Sequence, residues 1–145
     1  MPLTDNQHRF GMQLAQMSRG WRAELDRRLA GLNLSQARWL VLLHLARFDE
    51  APTQRELAQS VGVEGPTLAR LLDSLESQGL VRRQAVMEDR RAKKIVLCPP
   101  AKPLIDQIET IANALRLELF TGVDEADLEV CMRVHEKILA NLEKS

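Results

Sequence analysis

The sequence predicts a mainly α-helical chain with one small β-hairpin, an α+β protein in which helices dominate. Three observations support this fold class. Apolar residues recur every three or four positions in both outer parts of the chain, as they do on one face of a helix. In the middle, a capping sequence and a Gly-containing turn delimit two short helical patterns. Between positions 80 and 97 the helical period gives way to short extended segments.

Length and composition indicate a globular protein. The 145 residues suffice for one compact domain with helical extensions, and 45% are hydrophobic against 28% charged. No stretch approaches the roughly 20 apolar residues that span a membrane. Residues 1–10 are polar and lack the apolar core of a signal peptide, so we expect a cytoplasmic, nucleoid-associated protein. Cys98 and Cys131 lack CxxC spacing, which favours buried free thiols.

Charge is balanced overall but unevenly distributed. The chain has 20 Lys and Arg against 20 Asp and Glu. Residues 82–94 carry six basic against two acidic side chains, an excess of four basic side chains. In residues 109–143 the acidic side chains outnumber the basic ones. One cationic edge on an otherwise acidic protein would meet phosphate in a fixed orientation.

The first element is a long helix over about residues 5–31, within an N-terminal segment 1–33. The last elements are two helices within residues 99–145, separated at Gly122. Their apolar stripes are extensive for so small a core, so we expect burial against a second copy, with 1–33 and 99–145 as dimerisation helices. A monomeric helical bundle is the alternative. The stripes comprise Phe10, Leu14, Met17, Trp21, Leu25 and Leu29; Leu104, Ile108, Ile111, Leu115 and Leu119; and Leu128, Cys131, Val134, Ile138 and Leu142.

The middle segment, residues 34–98, begins with a helix that Ser35 would cap and that ends near Phe48. Residues 53–56, Thr-Gln-Arg-Glu, fit a capping box at the start of a second helix, which ends at Gly62. Pro66 suits the first position of a third helix, over residues 66–78. Two helices joined by so short a turn predict a helix-turn-helix.

The third helix is expected to expose Thr67, Arg70, Asp73 and Ser74, a polar set suited to the major groove of DNA. Arg70 is the main candidate, because a guanidinium can donate two parallel hydrogen bonds to guanine. Thr67 and Ser74 would touch phosphate or a thymine methyl group. The alternative is that Arg70 only pairs with Asp73 or Glu76 on a solvated face.

After Gly79, residues 80–86 and 93–97 predict a β-hairpin, which makes the helix-turn-helix a winged one. Its loop, residues 87–92, would carry Arg90 and Arg91 at the tip. Arginine at this position suits a narrow A·T-rich minor groove, where the negative potential is concentrated. A hairpin tip that is merely solvated is the alternative.

The chain resembles the MarR family of transcription regulators, and within it the SlyA-like members. The resemblance covers nearly the whole chain. It is carried by the segment Glu88-Asp89-Arg90-Arg91-Ala92-Lys93-Lys94-Ile95-Val96-Leu97, together with residues 21–29, residues 34–36, Trp39 and residues 101–105.

The resemblance implies a triangular homodimer, joined through its first and last helices, that binds palindromic A·T-rich promoter DNA as a repressor or against silencing proteins. It places base recognition at Arg70 and a minor-groove contact at Arg91. Asp89 would support the wing, and Asp73 would pair with Arg91 in the absence of DNA. The complete DNA-binding set is then Thr67, Arg70, Ser74, Arg90, Arg91 and Lys93.

The resemblance further implies release from DNA by small aromatic carboxylates such as salicylate. Trp21, Arg22, Trp39 and His44 have suitable chemistry, because an arginine can pair with a carboxylate and an indole can stack on a ring. The alternative is that the tryptophans are core residues and His44 is structural. The chain departs from many relatives in having Cys98 and Ala101 at the end of the wing. Peroxide-sensing relatives carry their reactive cysteine near the N-terminus, where this chain has none, so we do not expect a peroxide sensor.

Enzyme motifs are missing from the sequence. It contains no GxSxG, Walker or GxGxxG pattern, and His135-Glu136 lacks the second histidine of HExxH. We therefore expect no catalytic residue, no metal and no cofactor. The main rival to a DNA-binding regulator is a winged-helix adaptor whose basic edge meets an acidic protein.

Overall fold

In a computed structural model of the chain, the structure describes residues 1–32, 34, 36–86 and 89–144, without the side chains of residues 36 and 89–91. Ser35, the expected helix cap, and Met87 and Glu88 of the expected hairpin loop lie outside the described residues. Two compact units are formed, residues 1–112 and 113–145. The elements are α1 (Asp5–Leu29), a 3₁₀ turn (Ala30–Leu32), α2 (Gln36–Ala46), α3 (Gln54–Val61), α4 (Gly65–Ser77), β1 (Val81–Val86), β2 (Asp89–Leu97), α5 (Ala101–Leu119) and α6 (Glu125–Glu143).

The predicted fold class is confirmed: the described chain is mostly helical, with one antiparallel hairpin between α4 and α5. None of the helices among the described residues is long and apolar enough to cross a membrane.

Helix α1 begins at a capping box that the sequence analysis did not identify. The Thr4 hydroxyl accepts from the Gln7 backbone amide at 3.1 Å, and the Gln7 side chain accepts from the Thr4 amide at 2.9 Å. The apolar stripe of the helix changes environment along its length. Leu25 and Leu29 are buried, whereas Leu14 is 47% exposed, so only the C-terminal half is covered within the chain.

The helix-turn-helix forms as predicted. Thr53 and Glu56 make the reciprocal capping bonds at 3.1 and 3.0 Å that start α3. Gly62 has φ +83°, a left-handed conformation that glycine adopts without strain, and it ends α3 before the turn. Pro66 is the second residue of α4, which starts one residue earlier than expected. The core between these elements contains Val41, Leu42, Leu57, Leu68, Leu72, Leu75, Val81 and Ile95.

The hairpin differs from the expectation at its loop. Strand β2 begins at Asp89 rather than at Lys93, so Arg90 and Arg91 lie in a strand and not at the centre of a six-residue loop. Register runs regularly from the Val81–Leu97 pair to the Ala85–Lys93 pair, after which Val86 pairs with Asp89. Residues 90–92 therefore have no counterpart in β1. This bulge is the physical reason for the difference, because it allows pairing to resume beyond an irregularity that sequence alternation does not signal.

The hairpin base is joined to the segment before α3. The backbone amide of Ile95 donates to the Pro52 carbonyl at 2.9 Å, and Thr53 forms an isolated bridge with Lys94. The capped start of α3 and the wing are thus held together by main-chain bonds.

Helices α5 and α6 confirm the two C-terminal stripes and their break at Gly122, which has φ +82°. No residue of α6 is buried. The expectation that both cysteines are buried is wrong: both thiols are free, but Cys98 is only half-buried and Cys131 is exposed on α6. Cys131 belongs to an apolar stripe that this one chain leaves uncovered, and its exposure follows from that.

Candidate nucleic-acid interface

Helix α4 has one buried and one exposed face, and Arg70 lies at the centre of the exposed one. Leu68, Leu72 and Leu75 have no exposed surface and attach the helix to the core. At 100° per residue, Arg70 and Asp73 lie opposite these leucines, and both are exposed. Arg70 is therefore the side chain best placed to reach a ligand outside the domain, and the buried leucines hold its helix in place.

Thr67 and Ser74 are less accessible than the sequence analysis expected. Both are half-buried on the flank of α4 that faces α2. Arg38 of α2 donates from Nη1 to the Ser74 hydroxyl at 2.9 Å. The contact from Arg38 covers the Ser74 hydroxyl, which accounts for the lower exposure of Ser74.

The opposite flank of α4 is occupied by Arg83 of β1. Arg83 Nη1 lies 2.8 Å from Asp73 Oδ1 and 3.1 Å from Glu76 Oε1, and Nη2 donates to the Ala69 carbonyl at 2.7 Å. The Arg83 backbone amide also donates to Glu76 Oε2 at 3.2 Å. The three acceptor residues follow one another at intervals of four and three, on one helix face. Arg83 thus joins strand β1 to helix α4 through both its side chain and its backbone amide.

This arrangement gives Asp73 a partner that the sequence did not indicate. Asp73 is bound by Arg83, which the strand alternation directs towards α4. Its expected pairing with Arg91 stays a prediction. The side chains of Asp89, Arg90 and Arg91 lie outside the described set, so their assigned roles stay predictions. In the described part of the chain, the two carboxylates considered as alternative partners of Arg70, those of Asp73 and Glu76, both contact Arg83.

An open groove of about 670 Å³ lies between α3, the turn before α4 and strand β2. Two exposed cations, Arg55 and Lys93, contribute to its lining. The groove is lined by Thr53, Gln54, Arg55, Ala58, Gln59, Val63, Gly65, Ala92 and Lys93.

The capping bonds from Thr53 lower the pKa of Glu56 below its usual value, so this carboxylate stays ionised while it caps α3.

The four candidate effector residues do not share one environment. Trp39 is only 2% exposed, and its indole Nε1 donates to Asp26 Oδ1 at 3.3 Å, which is the geometry of a core residue. Trp21 is half-buried and Arg22 is exposed. His44 Nδ1 lies 2.8 Å from the Ser60 hydroxyl. Burial lowers the pKa of His44, and the nearby charges of Arg47 and Arg22 lower it further.

Sequence reasoning missed Arg83, Arg38 and Arg55. Arg83 was counted only as part of the basic run, although its alternation with exposed Arg82 along β1 is a usable signal. Arg38 lies on α2, where no local pattern indicates that it reaches Ser74. Arg55 was interpreted only as an interior position of the capping box.

The chain resembles known proteins over most of its length. Residues 31–92 match the MarR family model. A solved structure described as the transcriptional regulator PA3341 has 69% sequence identity and a TM-score of 0.89, covering 94% of this chain and 99% of that chain.

Two more distant structures share the fold. The MepR–DNA complex of S. aureus has 22% identity and a TM-score of 0.80, covering 97% of this chain and 99% of that chain. CouR from Rhodococcus jostii RHA1, solved with bound p-coumaroyl-CoA, has 23% identity and a TM-score of 0.79, covering 89% of this chain and 90% of that chain.

Proposed function

The chain belongs to the MarR family, and on that premise we propose that it is a transcription regulator that binds double-stranded DNA as a homodimer. In this proposal it is SlyA-like, acts in the cytoplasm on nucleoid DNA, and represses promoters through palindromic A·T-rich sites. The single observation that carries the proposal is the joined pair of α4 and the hairpin, with Arg70 on the exposed face of the helix. The 69% identical relative, described as a transcriptional regulator, supports it.

Arg70 is proposed to recognise bases. Its guanidinium extends from the exposed face of α4, and an α-helix fits into the major groove. A bidentate contact with guanine O6 and N7 would discriminate by about 1–3 kcal/mol against another base. Thr67 and Ser74 are proposed to contact the edge of the site, because both are half-buried on one flank.

The wing is proposed to contact the flanking minor groove. Arg91 would insert into an A·T-rich tract and Arg90 would meet phosphate, with Asp89 supporting the wing. Lys93, exposed on β2 beside the groove, would add a phosphate contact.

Dimerisation is proposed to occur through α1 and α6. Large apolar side chains on both helices are exposed in the single chain, and a monomeric protein seldom exposes so many together. A second copy related by two-fold symmetry would cover both sets and would match a palindromic site. The exposed residues are Phe10, Leu14 and Met17 on α1, and Val130, Met132, Val134, Ile138, Leu139 and Leu142 on α6.

Release by a small aromatic carboxylate is proposed to act through Arg22, the exposed cation of the candidate effector set. Trp39 is left out because it is buried. The test is displacement of bound DNA by salicylate from wild type, Arg22→Gln and Arg19→Gln, the last an exposed cation on the same helix. Weakened displacement in Arg22→Gln alone would support the proposal, whereas no displacement from wild type would refute it.

The experiment that separates a DNA-binding regulator from a winged-helix adaptor is the salt dependence of duplex binding. We expect affinity for a random-sequence duplex pool, measured by fluorescence anisotropy, to fall by orders of magnitude between about 50 and about 200 mM salt. Arg70→Gln should weaken binding more than Arg133→Gln, which removes the same charge from exposed α6. An adaptor would show no measurable binding to the pool.

A further inference from the structure

We infer that Arg83 is a positioning residue that fixes the wing against α4, so that both DNA contacts are presented in one geometry. This inference rests on the proposed function. Arg83 touches no expected DNA position itself and would act through Arg91 and Arg70. Its side chain is 19% exposed, against 69% for Asp73 and 41% for Glu76, so the guanidinium lies inside the joint between strand and helix.

The position of Arg83 along the wing explains why such a joint is needed. The hairpin is anchored at its base, where Val81 and Ile95 are buried. Val86, five residues further along β1, is then about 17 Å away, since a strand rises about 3.4 Å per residue. A pivot of about 10° at the base would move that end by about 3 Å, which is enough to break a hydrogen bond. Arg83 pairs with buried Ile95 across the hairpin, so its bonds to α4 fix the β1 side of the base and restrict this pivot.

The bonding geometry requires an arginine. The planar guanidinium presents donors in a fixed fork, and two of its nitrogens bind three acceptors on successive turns of α4. Glu76 also accepts from the Arg83 backbone amide, so its carboxylate binds both main chain and side chain of one residue. A lysine at this position would keep the charge but would present one ammonium without the fork.

Charge contributes to the same effect. Asp73 and Glu76 would place two negative charges beside Arg70 on the helix proposed to approach phosphate. Arg83 contacts both carboxylates and offsets part of that repulsion. Loss of Arg83 should therefore weaken DNA binding through geometry and through charge, and the experiment must separate the two.

The test is a double footprint on a duplex recovered from a random pool with wild-type protein. Dimethyl sulfate protection of guanine N7 would report the major groove, and hydroxyl-radical protection of the flanks would report the wing. We expect Arg83→Gln, at saturating protein, to keep guanine protection, to lose flank protection and to bind about tenfold more weakly. The matched control is Arg82→Gln, which removes the same charge from the neighbouring exposed position and should keep both protections.

Arg83→Lys separates position from charge. We expect it to lose flank protection while its binding keeps the wild-type salt dependence. Full recovery of the flanks in Arg83→Lys, unchanged flanks in Arg83→Gln, or equal loss in Arg82→Gln would each overturn the inference. If a thermal melt shows that Arg83→Gln is unfolded, Glu76→Gln replaces it, because this variant weakens the same joint from the helix side. We expect Glu76→Gln likewise to keep guanine protection and to lose flank protection. A wild-type protein without any footprint would refute the proposed function itself.

Discussion

Replacing two exposed apolar residues of α1, Leu14 and Met17, should weaken the dimer strongly. They are 47% and 60% exposed in the single chain, on the same stripe as buried Leu25 and Leu29. Full burial of such a side chain stabilises by about 1.5–3 kcal/mol, so covering the exposed half contributes about 1 kcal/mol for each residue. Two residues in two protomers give about 4 kcal/mol, and at about 1.4 kcal/mol per tenfold this corresponds to about a thousandfold in dissociation constant.

The double variant Leu14→Ala/Met17→Ala tests this estimate, because alanine retains helix propensity while removing the apolar surface. Sedimentation equilibrium over a range of protein concentrations would measure the dissociation constant. Met12→Ala is the matched control: Met12 is 72% exposed but lies on the opposite side of α1, so its loss should have little effect. A double variant that dimerises as tightly as wild type, or a monomeric wild type, would refute the reasoning.

Three further predictions concern the winged domain. Thr53→Ala removes the cap of α3 and should lower the free energy of unfolding by about 1 kcal/mol in urea titrations, whereas unchanged stability would contradict the role of the capping box. In the folded chain the pKa of His44 is lowered below its usual 6.5. As the pH falls, His44 therefore becomes protonated in the unfolded chain before it does so in the folded chain. The stability that depends on neutral His44 should be present above pH 6.5 and lost below it. His44→Gln should remove this decline in urea unfolding between pH about 7 and about 5.5, and an identical decline in the variant would disprove the linkage. Arg70→Ala should cost about 1–3 kcal/mol of discrimination in competition with a single-base variant of the site, and equal discrimination by wild type and variant would remove its proposed role.

The elements that could be predicted from the sequence are those whose signals are local. The stripe of α1, the Thr53–Glu56 capping box and the break at Gly122 each depend on residues a few positions apart, and the structure contains all three. These signals indicate where a helix begins, which side is apolar and where it ends. They were sufficient for the fold class and for the position of Arg70 on a helix.

The features that could not be predicted depend on pairing between distant segments. The start of β2 at Asp89 follows from a bulge opposite Ala85–Val86, which no period in the sequence indicates. The contact of Asp73 with Arg83 was not predicted, because several arginines in the basic run satisfy the same charge rule and only the strand geometry brings Arg83 to α4. The contact of Arg38 with Ser74 likewise joins two helices far apart in the chain.

The most direct test of the central claim is selection of bound duplexes from a random pool at physiological salt, with wild-type protein and Arg91→Ala in parallel. The account predicts that wild type enriches a palindrome whose half-sites are about 10 base pairs apart, with A·T-rich flanks, and that the variant loses the flank preference while remaining dimeric. If wild type enriched no sequence, the chain would not be a sequence-specific DNA-binding regulator.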